Sequence, residues 1–197
     1  DYKDFMSKEI NEQHLTTKTC LKEYVDQLRH DINLYSFPIN PKEIKKIVLI
    51  GCGTAYHSCS TAKYWFEELT TIPIEIDVAS EFRYRDPIIS KDDLGIIISQ
   101  SGETMDTIAA AELLKDNGCD LLGIVNVVGS SLARMSDYLM YLHVGPEIGV
   151  ASTKAFITQI TILFLIAVKL GKSRGVISSK QFREYIYELN SIKKKIT

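Results

Sequence analysis

Apolar residues near the start of the chain recur mostly at helical spacing. Phe5, Met6, Ile10, Leu15, Leu21, Val25 and Leu28, with Glu and Lys between them, predict one or two amphipathic helices over residues 5–30. The pattern breaks at Ser36-Phe37-Pro38-Ile39-Asn40-Pro41, because two prolines three residues apart cannot sit inside a helix. Beyond this linker, short β-branched runs alternate with helical patterns. Runs at 47–50, 74–78, 94–98, 121–125 and 138–142 predict five strands. Helices are predicted between and after them at 55–69, 80–84, 104–115, 130–135, 153–170 and 179–196. Strands this apolar, joined by crossovers, call for a parallel sheet covered on both faces. The expected fold class is therefore α/β, a five-stranded parallel sheet flanked by helices in a doubly wound sandwich, preceded by an N-terminal helical segment. The expected division is 1–42 for the helical segment and linker, and 43–197 for the α/β domain with its C-terminal helices.

Composition narrows the function classes. The chain of 197 residues is long enough for a full hydrophobic core, and its 45% apolar and 24% charged content is that of a globular protein. With 23 Lys+Arg against 25 Asp+Glu, and no basic block apart from Lys193-Lys194-Lys195, nothing marks a nucleic-acid surface. Cys20, Cys52, Cys59 and Cys119 are too sparse for a disulfide framework or a closed zinc site, which favours a reducing cytoplasm and no metal. The first residues are mixed and charged rather than basic and then apolar, so no signal peptide is legible. The longest apolar stretch, 155–170, is interrupted by Thr158, Gln159 and Thr161 and falls short of the roughly 20 residues of a membrane span. It reads as a buried helix.

In a doubly wound sheet, ligands bind beyond the carboxyl ends of the strands, so the loops that follow strands are the candidates. Ser99-Gln100-Ser101-Gly102-Glu103-Thr104 follows the third main strand and opens a helix. Hydroxyls beside the unpaired N–H groups of a helix start make an anion cradle without Lys or Arg, and a phosphate monoester is the natural guest. The simpler explanation is an N-cap, but a cap needs one hydroxyl and this loop supplies three. The second candidate is Gly51-Cys52-Gly53-Thr54-Ala55-Tyr56. It imitates a dinucleotide fingerprint, with Asp77 where a ribose-binding acid would stand, but Tyr56 replaces the third glycine. Gly53 and Thr54 offer close backbone approach and a hydroxyl. Cys52 reads as a small packed residue rather than a nucleophile, since no base is fixed beside it. The third candidate is Glu147-Ile148-Gly149-Val150-Ala151-Ser152-Thr153-Lys154, where capping of the next helix by Ser152 or Thr153 is the simpler reading from residues alone. No role is assigned to His14, His30, His57 or His143, and Tyr64, Trp65 and Phe66 read as core.

At these residues the sequence resembles a known family. Phe5-Met6, Lys8-Glu9-Ile10 and Glu12-Gln13, Gly51 to Tyr56, Ala79-Ser80-Glu81-Phe82-Arg83-Tyr84-Arg85, Ser99 to Thr104, and Glu147 to Phe156 resemble the glutamine:fructose-6-phosphate aminotransferases over almost the whole chain. The serine-rich loop alone would indicate only the wider sugar-phosphate-isomerase (SIS) superfamily. The resemblance implies the first SIS half of the family's isomerase region, with a flavodoxin-like sheet. It implies that Ser99, Gln100, Ser101 and Thr104 hold the phosphate of fructose-6-phosphate. Thr54, with the backbone of Cys52 and Gly53, and Val150 and Ser152 would contact the sugar. Ala55 stands where the family often has Ser, which leaves one hydroxyl contact open.

The resemblance also implies what lies elsewhere. The complete enzymes carry a glutaminase domain with a nucleophilic cysteine, and a second SIS half with the Schiff-base lysine, the isomerising glutamate and the ring-opening histidine. This chain has neither, so no catalytic residue is expected in it and no aminotransferase activity from it alone. The expected partners are fructose-6-phosphate, glucosamine-6-phosphate, those two further parts and a second copy in a full-length homodimer, with no cofactor, nucleic acid or membrane. Two other readings share some features. A sugar-phosphate-sensing regulatory SIS module would share the serine-rich loop but needs a DNA-binding helical domain, for which residues 1–30 lack charge and length. A NAD-binding domain would share the strand–helix rhythm but needs the glycine that Tyr56 replaces.

Overall fold

A computed structural model describes residues 2–34 and 40–192. Residues 36–39 of the linker, the run Lys193 to Lys195 and the last predicted helical residues lie outside them. The chain begins with α1 (Phe5–Tyr24), capped by the Asp4 carboxylate, which accepts from Ser7 N at 2.7 Å. Two short antiparallel strands follow, β1 (Val25–Asp26) and β2 (Asp31–Ile32). The main domain then runs β3 (Lys46–Gly51), α2 (Thr54–Thr70), β4 (Ile74–Val78), α3 (Ala79–Phe82), β5 (Asp93–Ser99), α4 (Met105–Asp116) and β6 (Asp120–Val125). It closes with α5 (Ser131–Met135), β7 (Tyr138–Tyr141), α6 (Lys154–Arg174) and α7 (Ser179–Ile192).

The five strands from β3 onward form one sheet in the order β4-β3-β5-β6-β7, and every neighbouring pair is parallel. Side chains alternate between its faces as the pleat requires. Ile47 and Leu49 of β3, Leu94, Ile96 and Ile98 of β5, and Leu122 and Ile124 of β6 join one core, with Phe66 and Leu69 of α2 and Ile162, Leu163 and Ile166 of α6. Val48, Ile50, Ile97, Leu121 and Val125 take the other face, with Phe82 of α3, Ala110, Ala111 and Leu114 of α4 and Leu132 of α5. Both faces are therefore apolar, which is why these strands read as continuous runs rather than alternating ones. Helix α6 is long and apolar enough to cross a membrane, but most of it is packed inside the protein, with Ile162, Leu163, Leu165 and Ile166 fully buried.

Sheet order positions the site. The chain steps from β3 to β4 on one side and then returns to place β5 on the other, so the order reverses between β3 and β5. A crevice opens there, beyond the carboxyl ends of those strands. The loops that enter it are the ones starting at Gly51 and Ser99.

Three expectations about the helices differ from the structure. Helix α1 stops at Tyr24, and the β1–β2 hairpin occupies residues predicted as helix: the Asp26 carboxylate accepts from the amides of Leu28 and Arg29 at 2.9 and 3.0 Å, which turns the chain back. Along α1, Phe5, Ile10 and Leu15 are exposed, while Glu9, Thr16, Thr17, Cys20, Leu21 and Tyr24 are buried. Polar bonding chooses that face: Tyr24 Oη both donates to Tyr141 O (2.9 Å) and accepts from Tyr141 N (2.7 Å), fastening α1 to the edge strand. On α2, Phe66 is buried and Trp65 packs edge-on against Phe164, but Tyr64 is 72% exposed. It lies off the buried row of Cys59, Ala62, Phe66 and Leu69.

Candidate functional site

The loop after β5 is organised before any ligand arrives. Ser99 Oγ, nearly buried, accepts from Gly102 N at 3.0 Å and shares a 3.3 Å bond with Thr104 Oγ1. Ser101 Oγ accepts from Glu103 N at 3.2 Å, which leaves its own proton free to donate outward. Gly102 sits at φ +67°, and a Cβ there would collide with the Ser130 side chain, so the close turn requires glycine. The neighbouring β6–α5 segment braces the loop: Asn126 N donates to Gln100 O (3.1 Å), Leu132 N to Gly102 O (3.0 Å) and Ser131 N to the Glu103 carboxylate (2.8 Å). That last bond holds the Glu103 carboxyl below its ordinary range.

Thr104 is the N-cap of α4, yet its side chain makes no capping bond. The first backbone bond of the helix runs from Ile108 N to Thr104 O, and the amides of Met105, Asp106 and Thr107 precede it. None of the loop's three hydroxyls is spent on capping the helix. Asp106 in the first turn would repel an anion there, but Arg83 pairs with it at 2.7 Å and offsets its charge.

The loop after β3 meets this one. A Cβ on Gly51 would stand 2.8 Å from Ala55 C and 2.9 Å from Tyr56 N, so glycine there lets α2 start directly against the strand end. The close helix–strand approach that a dinucleotide site places at its third glycine is thus made at Gly51, and Tyr56 is accommodated beside it. Gly53, at φ +53°, is the N-cap of α2 and is also without a side-chain cap. Thr107 Oγ1 donates to Cys52 Sγ at 3.8 Å and ties α4 to this loop. Asp77 is committed elsewhere: one oxygen accepts from Val78 N at 2.8 Å and the other pairs with Arg85 at 2.6 Å. That occupies the acid a ribose would need.

Two carboxylates arrange the third loop. Glu147 accepts from the amides of Thr153 (2.9 Å) and Ala155 (3.1 Å) and from Ser152 Oγ (3.1 Å), so Glu147 rather than Ser152 or Thr153 caps α6. Buried Glu9 of α1 accepts from Ile148 N at 2.6 Å and Gly149 N at 3.1 Å. Lys154, also buried, pairs with Glu12 at 2.8 Å.

A cleft of about 200 Å³ gathers Cys52, Thr54, Ser99, Gln100, Ser101, Thr104 and Ser152. Gly53 and Val150 do not line it, and Val150 is fully exposed on the third loop. Ala55, Ile98, Thr107 and Gln159 complete the lining; Ala55 was noted in the sequence for the hydroxyl it lacks, and the other three were not singled out as site residues. Thr107 lies one turn into α4 from the serine-rich loop, a position that helical spacing can find. Gln159 carries no such signal. Among the described residues no Lys or Arg lines the cleft, so an anion in it would be held by hydroxyls and backbone amides.

Comparison with known proteins agrees with this architecture. The sequence model of the SIS domain matches residues 42–169. The chain belongs to the SIS domain family. Over 195 residues it is 44% identical to a glutamine--fructose-6-phosphate aminotransferase [isomerizing] of Bacteroides thetaiotaomicron, covering 97% of this chain and 32% of that protein. A protein of the same name from Caldanaerobacter subterraneus subsp. tengcongensis is 45% identical over 198 residues, 99% of this chain and 32% of its own length. This SIS chain thus spans about a third of the relatives it matches. Among solved structures, the C-terminal domain of glucosamine-fructose-6-phosphate aminotransferase from Francisella tularensis superposes with a TM-score of 0.92 at 36% identity, covering 98% of this chain and 54% of that one. A glucosamine-6-phosphate deaminase from Thermotoga maritima shares the SIS fold at a TM-score of 0.72 and 24% identity, over 93% of this chain and 52% of that one.

Proposed function

We propose that this SIS chain binds fructose-6-phosphate by its phosphate, as the first SIS half of a glutamine:fructose-6-phosphate aminotransferase. The observation that carries the reading is the serine-rich loop. Ser99, Ser101 and Thr104 converge on a helix start that none of them caps, in a cleft shared with Thr54 and Ser152. In this reading Ser99, Gln100, Ser101, Thr104 and the first amides of α4 hold the anion. Thr54, the backbone of Cys52 and Gly53, Val150 and Ser152 serve the sugar. Residues 1–42 form the helical segment and linker, and 43–197 the domain.

The full-length protein would pair this part with a glutaminase domain and a second SIS half and work as a cytoplasmic homodimer. Ammonia from glutamine replaces the carbonyl oxygen of fructose-6-phosphate, and proton transfer then yields glucosamine-6-phosphate. The contribution of this chain is positioning: fixing the phosphate end presents the carbonyl end to groups supplied elsewhere. Titration calorimetry tests the reading. Fructose-6-phosphate and glucosamine-6-phosphate should bind more tightly than fructose and glucosamine, with inorganic phosphate competing. Equal affinity for fructose and fructose-6-phosphate would overturn it.

A further inference from the structure

Helix α6 forms one wall of the cleft, and Gln159 lies on that wall. Gln159 is only 2% exposed, and its Oε1 has no hydrogen-bond partner among the described residues. The polar residues beside it on α6 behave differently. Thr158 and Thr161 return their hydroxyls to the carbonyls of Lys154 (2.9 Å) and Ile157 (2.8 Å), one turn back along the helix. Buried side-chain oxygens are nearly always bonded, and an exception in a native fold calls for a missing partner. Among the described residues Thr17 Oγ1 and Thr153 Oγ1 are also unpartnered, but of the three only Gln159 lines the cleft. A methionine of similar volume would pack in the same place without stranding a polar atom.

The missing partner has to be a donor. The phosphate dianion offers acceptors and is served by the hydroxyls of the loop after β5, so it cannot satisfy an amide oxygen. A sugar chain attached to that phosphate carries O–H groups, and Gln159 lines the same cleft as Thr54 and Ser152, the residues that the sugar-phosphate reading gives to the sugar. We propose that Gln159 is a specificity-determining residue that accepts a hydrogen bond from a sugar hydroxyl. It thereby separates a phosphorylated sugar from phosphate alone. This inference rests on the sugar-phosphate reading of the cleft.

The test combines Gln159→Met with two probes, fructose-6-phosphate and inorganic phosphate, and with thermal melts of the unliganded chain. A ligand hydroxyl left without its acceptor should weaken fructose-6-phosphate binding on the order of 10-fold. Inorganic phosphate affinity should stay as in the wild type. Removing a stranded buried amide should raise the melting temperature of the free chain by about 2–6 °C. A variant that is more stable and yet less able to hold the sugar is the signature of a residue kept for its ligand. Gln159→Leu, read in the same way, carries the test if the methionine variant does not fold. Unchanged fructose-6-phosphate affinity would overturn the inference, giving the amide to water. Parallel losses for both probes would also overturn it, by making Gln159 a support of the phosphate loop. A wild-type chain that binds neither probe would overturn the sugar-phosphate reading itself and this inference with it, and the wild-type control tells that case apart.

Discussion

Two serines in the same loop should differ in what the loss of their hydroxyls costs the fold. Ser101 Oγ accepts from Glu103 N at an exposed position, so in Ser101→Ala water takes over that amide, and stability should change by no more than about 0.5 kcal/mol. Its free proton is the part available to a phosphate. A hydrogen bond to a charged group contributes roughly 1.5–3 kcal/mol, so sugar-phosphate affinity should fall on the order of 10- to 100-fold. Ser99 is different, because its Oγ is nearly buried and accepts from the buried Gly102 amide at 3.0 Å. Ser99→Ala strands that N–H at a cost of about 1–3 kcal/mol, a loss of roughly 2–12 °C in melting temperature at this chain length. Ser130→Ala is the control: Ser130 Oγ accepts from Ala133 N to cap α5, so its loss should cost about 1 kcal/mol of stability and leave affinity intact. Calorimetric titration with fructose-6-phosphate and thermal melts on the same three samples give both readouts. A Ser101→Ala chain that melts lower and binds normally would move that hydroxyl from the ligand to the scaffold. A Ser99→Ala chain that melts like the wild type would refute the buried-amide argument.

Other consequences reach further from the loop. A Cβ on Gly149 would stand 2.6 Å from Glu9 Oε2, so Gly149→Ala should displace a buried carboxylate, cost roughly 1–3 kcal/mol in a melt and weaken sugar-phosphate binding several-fold by loosening the Ser152 loop; unaltered stability would show that Glu9 is not needed there. The hydrogen bond from Lys154 holds the Glu12 carboxyl below its ordinary 4.5. A group whose folded pKa is depressed contributes stability that is present in full above the unfolded value and lost as pH falls through the folded one. The difference in melting temperature between wild type and Glu12→Gln should therefore be largest at neutral pH and close as the pH drops below 4.5, and a difference that holds constant across that range would contradict the ion pair. The chain incubated with fructose-6-phosphate and ammonia should form no glucosamine-6-phosphate above background, and product formation would place catalytic groups inside it.

The sheet was legible because both of its faces are buried. Ile47 to Ile50 and Leu94 to Ile98 are apolar at every position except Gly95, and crossovers of helical pattern separate the runs. The serine-rich loop was legible because three hydroxyls at a strand's carboxyl end exceed what capping needs. What sequence hid is non-local. Which face of α1 is buried depends on a tyrosine meeting a strand 117 residues away and on Glu9 meeting an amide 139 residues away. Helical periodicity of apolar residues carries neither fact. The β1–β2 hairpin has two-residue strands, too short for any alternation to register. Gln159 read only as an interruption in an apolar helix, and its meaning appears once α6 is seated against the cleft.

The central claim is that an anion sits on the loop after β5 and the first turn of α4. Amide resonances followed during titration with inorganic phosphate, and then with fructose-6-phosphate, test it residue by residue. The account predicts that Gly102, Glu103, Met105, Asp106 and Thr107 move with either probe, and that Cys52, Gly53, Thr54 and Ser152 move further only with the sugar phosphate. Movement confined to the basic surface around Arg29, Lys169, Lys172 and Arg183, with residues 99–107 silent, would contradict it.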